Sequence, residues 1–302
     1  MKRIFALFMV TLTLLAGCNK KDKANDITDI SGVLPGKFSI AQGRQIQFAS
    51  GNLQYQASTA TWRLAEHQWD CIGSKNSNIS ESYSGWIDLF GWATSGYNCG
   101  SLYYHPYDSD FGNEADGFEY GPKPVGTDLT GDYANCDWGV YAKISNSTAK
   151  FRTPTADEWE YLINKREGAK SKYGIACVEG NNGLVLLPDE WALPEGLTFK
   201  PGVGDEDDTR QFAKHNSYSA SDWTAMEKAG AVFLPVTGSR IEYAEIDYEN
   251  EIGKYWSVSC CHLEYWESTV YCLEFESSYI SAKDYNNYRH FGRAVRLIHD
   301  VQ

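Results

Sequence analysis

Apolar and polar residues alternate along much of this chain, and alternation with a period of two is the mark of strands buried on one face. Between residues 32 and 64, four pairs alternate with polar neighbours: Phe38 and Ile40, Ile46 and Phe48, Leu53 and Tyr55, Trp62 and Leu64. Gly43 and Gly51 mark turns between them, which predicts β-hairpins. Residues 65–139 are irregular, with His67, Trp69, Trp86, Phe90, Trp92, Tyr103, Tyr104, His105 and Tyr107 set among Ser, Asn and Gly. Long loops so rich in aromatics pack on their own side chains, so this stretch reads as a loop-rich lobe rather than a disordered one. The period changes at residues 151–166. There Thr155 and Glu158 form a capping box behind Pro154, and Trp159, Leu162 and Ile163 fall on one helical face. A second helix is expected over residues 221–228, capped by Ser219 or Ser221, with Trp223 and Met226 sharing a face. The apolar runs 182–188 and 230–235 each end in proline and fit short buried strands. Near the C-terminus Tyr271, Leu273 and Phe275 alternate with Cys272, Glu274 and Glu276, the pattern of a half-buried strand. Together these elements predict an α+β fold with short antiparallel sheets, two or more helices and long loops.

Composition changes the picture most over residues 257–290. Of these 34 residues, 19 are Asn, Asp, Ser, Tyr, His or Cys, more polar and aromatic material than a core strand pair needs. A contact surface has use for it, because Tyr offers large contact area at low entropic cost and Ser and Asn adapt their hydrogen bonds. The whole chain carries 40 acidic and 27 basic residues, a net charge of −13. With no basic cluster to neutralise phosphates, a nucleic-acid partner is not expected. The acidic runs 108–116 and 204–210 lack the EF-hand ligand spacing and read as solvated loops, with calcium the lesser reading.

At the N-terminus, Lys2 and Arg3 precede an apolar run, residues 4–15, that is too short to span a bilayer as a mature helix. The run ends in Leu15-Ala16-Gly17-Cys18, which resembles the lipobox of bacterial lipoproteins. That resemblance implies cleavage before Cys18, diacylation of its thiol and anchoring in the cell envelope, on the outer membrane. The polar residues after it suit a flexible tether over 18–31. Residues 32–302 are then expected to form a single unit, with a β- and loop-rich part over 32–146 and a second part over 147–302. Apart from Cys18, seven cysteines remain, so at least one is unpaired or joins another chain. Burial as small apolar residues is the expectation for most of them. A Cys99–Cys136 bridge is one pairing open to an exported chain, and the sequence does not assign it.

A family resemblance rests on three motifs. Arg152-Thr153-Pro154-Thr155-Ala156-Asp157-Glu158-Trp159-Glu160-Tyr161 resembles a motif of the formylglycine-generating, sulfatase-modifying-factor-like proteins, a branch of the C-type-lectin-like fold. Tyr255-Trp256-Ser257 and the closing Gly292-Arg293-Ala294-Val295-Arg296-Leu297 resemble the signature of secreted, often lipid-anchored bacterial proteins of that lectin-like type. The resemblance covers about half the chain, from residue 151 onward. It implies a C-type-lectin-like domain in which the segment between the last two motifs supplies exposed loops on one face. Trp256, Leu273, Phe275, Val295 and Leu297 are expected to form the scaffold beneath them.

The same resemblance raises an enzyme reading, a copper or thiol oxidase. The catalytic members hold copper with two cysteines after a Gly-Gly-Ser-Trp type motif, which this chain lacks. Cys260 and Cys261 are adjacent, and on an extended strand neighbours point to opposite faces. Cys272 would have to join one of them through the hairpin register. The six histidines fall in no metal-protease spacing, and there is no nucleophile elbow or phosphate-cradling glycine loop. His215, in Lys214-His215-Asn216-Ser217, reads as a loop residue at the surface. The Glu-Pro-Asn and Trp-Asn-Asp motifs of calcium-dependent lectins are missing as well. No catalytic residues, metal ligands or cofactor are therefore expected. The expectation is a non-catalytic, lipid-anchored envelope protein that binds a protein or glycan through its C-terminal loops. Some proteins of this lectin-like class diversify C-terminal codons by adenine-directed mutagenesis, and editing of Asn codons yields the residue types enriched here. The contact residues expected on this basis are Cys260, Cys261, His262, Tyr265, Tyr279, Ser281, Asp284, Tyr285, Asn286, Asn287, Tyr288 and His290. The competing readings are the oxidase and a fimbrial or matrix component that self-assembles through a strand edge.

Overall fold

The computed structural model describes residues 31–109, 119–241, 244–262, 269–285 and 287–301. The apolar run 4–15, Cys18, the expected tether as far as residue 30, Tyr265 and Asn286 lie outside the described residues. Strands β1 (Phe38–Ala41) and β2 (Arg44–Phe48) form the first predicted hairpin, with Phe38 opposite Ile46. Its turn needs Gly43, whose φ of 70° is left-handed. Strands β3 (Leu53–Gln56) and β4 (Thr61–Leu64) form the second, with Leu53 opposite Leu64. The two hairpins do not pair with each other. Instead β2 takes as its second neighbour β14 (Ile298–Asp300) at the far end of the chain, with Ile298 opposite Phe48.

After the short helix α1 (Trp138–Tyr141), helix α2 (Ala156–Glu160) begins at the predicted capping box. The Thr155 side chain accepts from Glu158 N, and the Glu158 carboxylate accepts from Thr155 N at 2.9 Å. The α-helix is shorter than its periodicity predicts, because the turn widens to a π-helix over Tyr161–Lys165. Leu162 and Ile163 still reach the core from that wider turn. Strands β5 (Tyr173–Val178), β6 (Asn181–Leu186), β7 (Ser217–Tyr218) and β8 (Val232–Pro235) form a four-stranded sheet in the order β7-β5-β6-β8. Only the β5–β7 pair in it is parallel. Helix α3 (Gln211–His215) precedes β7, and α4 (Ala220–Lys228) follows it behind the Ser219 cap, burying Trp223 and Met226. His215, expected in a surface loop, instead ends α3 in a buried position with Nε2 against Pro201 O at 3.1 Å. Strands β9 (Ser239–Arg240) and β10 (Ile246–Asp247) make a small ribbon. The last sheet is the meander β11 (Gly253–Cys260), β12 (Val270–Phe275) and β13 (Ile280–Asp284).

Two sheets divide the interior into three apolar layers. On β6, Leu184 and Leu186 face one core while Val185 and Leu187 beyond it face another, where Trp223, Met226 and Phe233 pack. On the meander, Tyr255, Leu273 and Phe275 face that same central core, which also holds Phe38, Phe48, Trp159 and Ile298. Trp256, Val258, Val270 and Cys272 point the other way, into a core shared with Leu53, Trp62, Phe90, Trp92, Trp138, Val295 and Leu297. The strand expected to be half-buried is therefore covered on both sides, and Cys272 is a core residue.

The tyrosine and tryptophan of the Tyr255-Trp256-Ser257 motif tie these layers together. The Tyr255 hydroxyl donates to Pro235 O at 2.7 Å and accepts from Asn52 Nδ2 at 3.1 Å. Trp256 Nε1 donates to Phe90 O at 2.7 Å, and Trp92 Nε1 donates back to Ser257 O at 2.9 Å. Buried indoles and phenols need such partners, so these bonds fix the register of the loop-rich lobe on the meander. Arg296, fully buried, donates to Asn52 Oδ1 and Ala49 O at 3.0 Å each, and also to Phe233 O.

Candidate ligand-binding surface

The meander carries the expected contact residues, with β13 as its outer strand. Helix α2 packs beside β13, and Lys283 Nζ meets Asp157 Oδ1 at 2.7 Å. The expected residues do not form one patch. Tyr279 lies in the β12–β13 turn, and Tyr285 begins the segment leaving the other end of β13. Six residues at the rise of an extended strand place these two roughly 20 Å apart.

At the Tyr285 end, Tyr285 and Tyr288 are 42% and 37% exposed, and the exposed His262 follows Cys261, whose amide donates to Thr269 O. Tyr288 pairs with Thr269 at the start of β12. Its ring stacks on His290 at 5.7 Å and meets Phe291 edge-on at 5.6 Å, while His290 meets Phe291 at 4.6 Å. These ring contacts restrict the side chains before any ligand arrives, which lowers the entropy lost on binding. His262 Nε2 lies 3.6 Å from Asp128 Oδ1, which brings the loop-rich lobe to the rim of the patch.

Three of the expected contact residues are buried and take other roles. Cys260 packs in the core, its amide donating to Asp128 Oδ1 at 2.8 Å and its thiol to Thr127 O at 3.1 Å. Burial pushes that thiol up to about 12, so it stays protonated at neutral pH. Cys261 is also fully buried, with its amide on Thr269 O at 3.1 Å. Asn287 has no exposed surface. Its backbone carbonyl accepts from Val270 N at 2.9 Å and its side-chain amide donates to Asp284, so it locks the turn rather than meeting a ligand. The sequence signal that tells contact positions from turn positions is weak here, because Asn serves both. The register also sets Val270 opposite Cys260, and Trp256 and Asp284 beside Cys272. The hairpin thus gives the oxidase reading no pairing of Cys272 with the Cys260-Cys261 step.

At the Tyr279 end is a cleft of about 560 Å³ lined by Asp207, Thr209, Tyr248, Lys254, Glu274, Glu276 and neighbours. Its acidic lining includes Asp207 from the run read as a solvated loop, which sequence alone did not join to residues 274–276. Beside it, Cys272, Glu274 and Asp284 bring a thiol and two carboxylates within 4.8 Å of one another. Burial raises Glu274 above the ordinary carboxylate range, and Asp284 adds to the rise against the pull of Lys254, 2.6 Å away. Arg293, buried, adds a second cation near the same three groups. A divalent ion would therefore meet Lys254 and Arg293 as well as the carboxylates, and the like charge opposes it. The cluster reads as a self-balanced ion network.

A second concavity was missed altogether in the sequence. It is a groove of about 520 Å³ between Tyr55 and Trp62 on its floor and Ser95, His105, Pro106, Tyr141 and Lys143 on its walls. It forms where β3 and β4 meet two loops distant in sequence, which local periodicity does not report. Comparison of the chain with protein-family models, curated proteins and solved structures gave no match in any of the three.

Proposed function

We propose that this chain is a non-catalytic binding protein of the C-type-lectin-like class, held in the cell envelope by a lipid on Cys18. The observation that supports this reading most is the contrast within one short segment. Tyr285 and Tyr288 stand exposed, Tyr288 braced by ring contacts, at one end of a sheet whose two faces are closed by two cores. A rigid sheet that presents tyrosines at one end suits recognition by shape and aromatic contact. The ligand, a protein or a glycan, meets His262, Tyr285, Tyr288 and His290. Tyr279 belongs to the opposite end and makes no part of that contact.

The test needs no ligand. Coding sequences of this protein from related strains are compared position by position, together with their flanking DNA. Substitutions concentrated at His262, Tyr285, Tyr288 and His290, with Cys260, Cys261 and Asn287 unchanged, are the expected result. A near-copy template repeat beside the gene would add diversification to the reading. Variation spread evenly between the exposed and buried members of the segment would sink the idea that this end is a recognition surface.

A further inference from the structure

Cys99 and Cys136 come from loops 37 positions apart in sequence, and the fold brings their side chains together at the edge of one core. The approach is built by more than the sulfurs. Ser95 Oγ donates to Asn135 O at 2.8 Å, joining the two loops next to the cysteines. Tyr97, Cys99 and Tyr133 pack around the core that holds Cys136. Cys99 is half-exposed while Cys136 is buried, so one thiol meets solvent and the other waits behind it. Of the remaining described cysteines, Cys260 and Cys261 are chain neighbours, and Cys272 is sealed in the core.

We infer that Cys99 and Cys136 are a redox pair that closes to a disulfide on meeting a small-molecule or protein disulfide, fastening together the two walls of the aromatic groove. One wall, His105 and Pro106, lies within the span the bond would close, and the other, Tyr141 to Lys143, follows two turns of chain after Cys136. In the first step the Cys99 thiolate attacks one sulfur of the incoming disulfide and expels the other as a thiolate, leaving a mixed disulfide. Cys136 then gives up its proton and attacks Cys99 Sγ, expelling the second thiolate. Two protein thiols are oxidised and one disulfide is reduced to two thiols, which take up the two protons released. The order of attack follows from exposure, since Cys99 reaches solvent and Cys136 does not. The neighbouring Cys136 thiol, followed by Ser101, also brings Cys99 down to about 6, while Cys136 itself is raised. Thiol–disulfide exchange is fastest from the more ionised, more accessible sulfur, which here is Cys99.

The test is non-reducing peptide mapping of the chain after exposure to excess oxidised glutathione. The expected result is a single new cross-linked peptide joining Cys99 to Cys136, with the loss of two alkylatable thiols. Both cysteines remaining alkylatable, or either one bridged to a different cysteine, overturns the inference. Thermal unfolding supplies a second readout. The oxidised protein should melt at a higher temperature than the reduced one, and that difference should vanish in Cys99→Ser but persist in Cys177→Ser. An undiminished difference in Cys99→Ser overturns the inference too.

Discussion

Replacing Arg296 by Met removes a guanidinium while keeping most of the side-chain volume, and the cost can be worked from the bonds described above. Arg296 has no exposed surface and donates to Asn52 Oδ1, Ala49 O and Phe233 O, which joins its own segment to two others, 49–52 and Phe233. Methionine leaves all three acceptors without this donor, and each buried orphan costs about 1–3 kcal/mol. Against this stands the cost of holding a cation out of water. Burial brings Arg296 down from the ordinary guanidinium range to about 10, equivalent to about 3 kcal/mol that the neutral side chain recovers. With each orphan at the middle of its range, the balance is a loss of about 3 kcal/mol, a large share of the total stability of an ordinary domain. Arg296→Lys should do no better, since an ammonium keeps the charge but cannot reproduce the guanidinium fork. Urea unfolding followed by tryptophan fluorescence reads this directly, because Trp92 and Trp256 are buried in the layer that Val295 and Leu297 join. A Met variant within about 0.5 kcal/mol of the parent would show that these acceptors find other partners, and that the guanidinium is not what joins the three segments.

Four further outcomes follow from the same physics. Burial lifts Asp88 to about 6 although it accepts from Asn76 Nδ2 at 2.8 Å, so the folded state holds its proton more tightly than the unfolded state does. Stability of the parent relative to Asp88→Asn should rise by about 2 kcal/mol as pH falls from 7 to 4, and a difference that ignores pH refutes the assignment. Glu158→Gln weakens a carboxylate that accepts from Arg152 Nη1 at 2.6 Å and Nη2 at 2.8 Å, and should cost about 1–2 kcal/mol. A double-mutant cycle with Arg152→Ala should then show coupling between the two, and additivity would mean that the pair contributes little. Tyr285→Ala with Tyr288→Ala should shift stability by less than about 1 kcal/mol while abolishing ligand capture; a larger loss would make them core residues. Cys18→Ala should end incorporation of labelled fatty acid and release the protein from membranes, and continued incorporation would place the lipid elsewhere.

Features set by neighbours in sequence were legible before the structure. The capping box at Thr155 and Glu158, the two early hairpins, the Ser219-capped helix and the β6 and β8 strands all follow from spacing within a dozen residues. Features set by distant contacts were not. The pairing of β2 with β14 joins residues about 250 positions apart, and no period in either strand announces it. Burial of both faces of β12 hid behind Cys272, which reads as polar in an alternating pattern but packs as a small apolar residue. Within the segment expected to make contacts, the structure buries some residues and exposes others. Composition marks Asn287, Cys260 and Tyr285 alike, whereas a turn, a core and a surface make different uses of them.

The seam between β2 and β14 has a consequence for how the chain is made. A ribosome delivers residues 44–48 long before residues 298–300, and until the last strand emerges β2 lacks one of its two neighbours. Arg296, which reaches back to Ala49 and Asn52, arrives equally late. The first hairpin therefore waits, with one edge open, through nearly all of synthesis. The usual vectorial order, in which early segments settle while later ones are still being translated, has little to act on in such a topology. Under the proposed envelope routing this delay would be useful: secretion channels that thread extended polypeptide would find a substrate in which the β2–β14 seam cannot close before residues 298–300 are free.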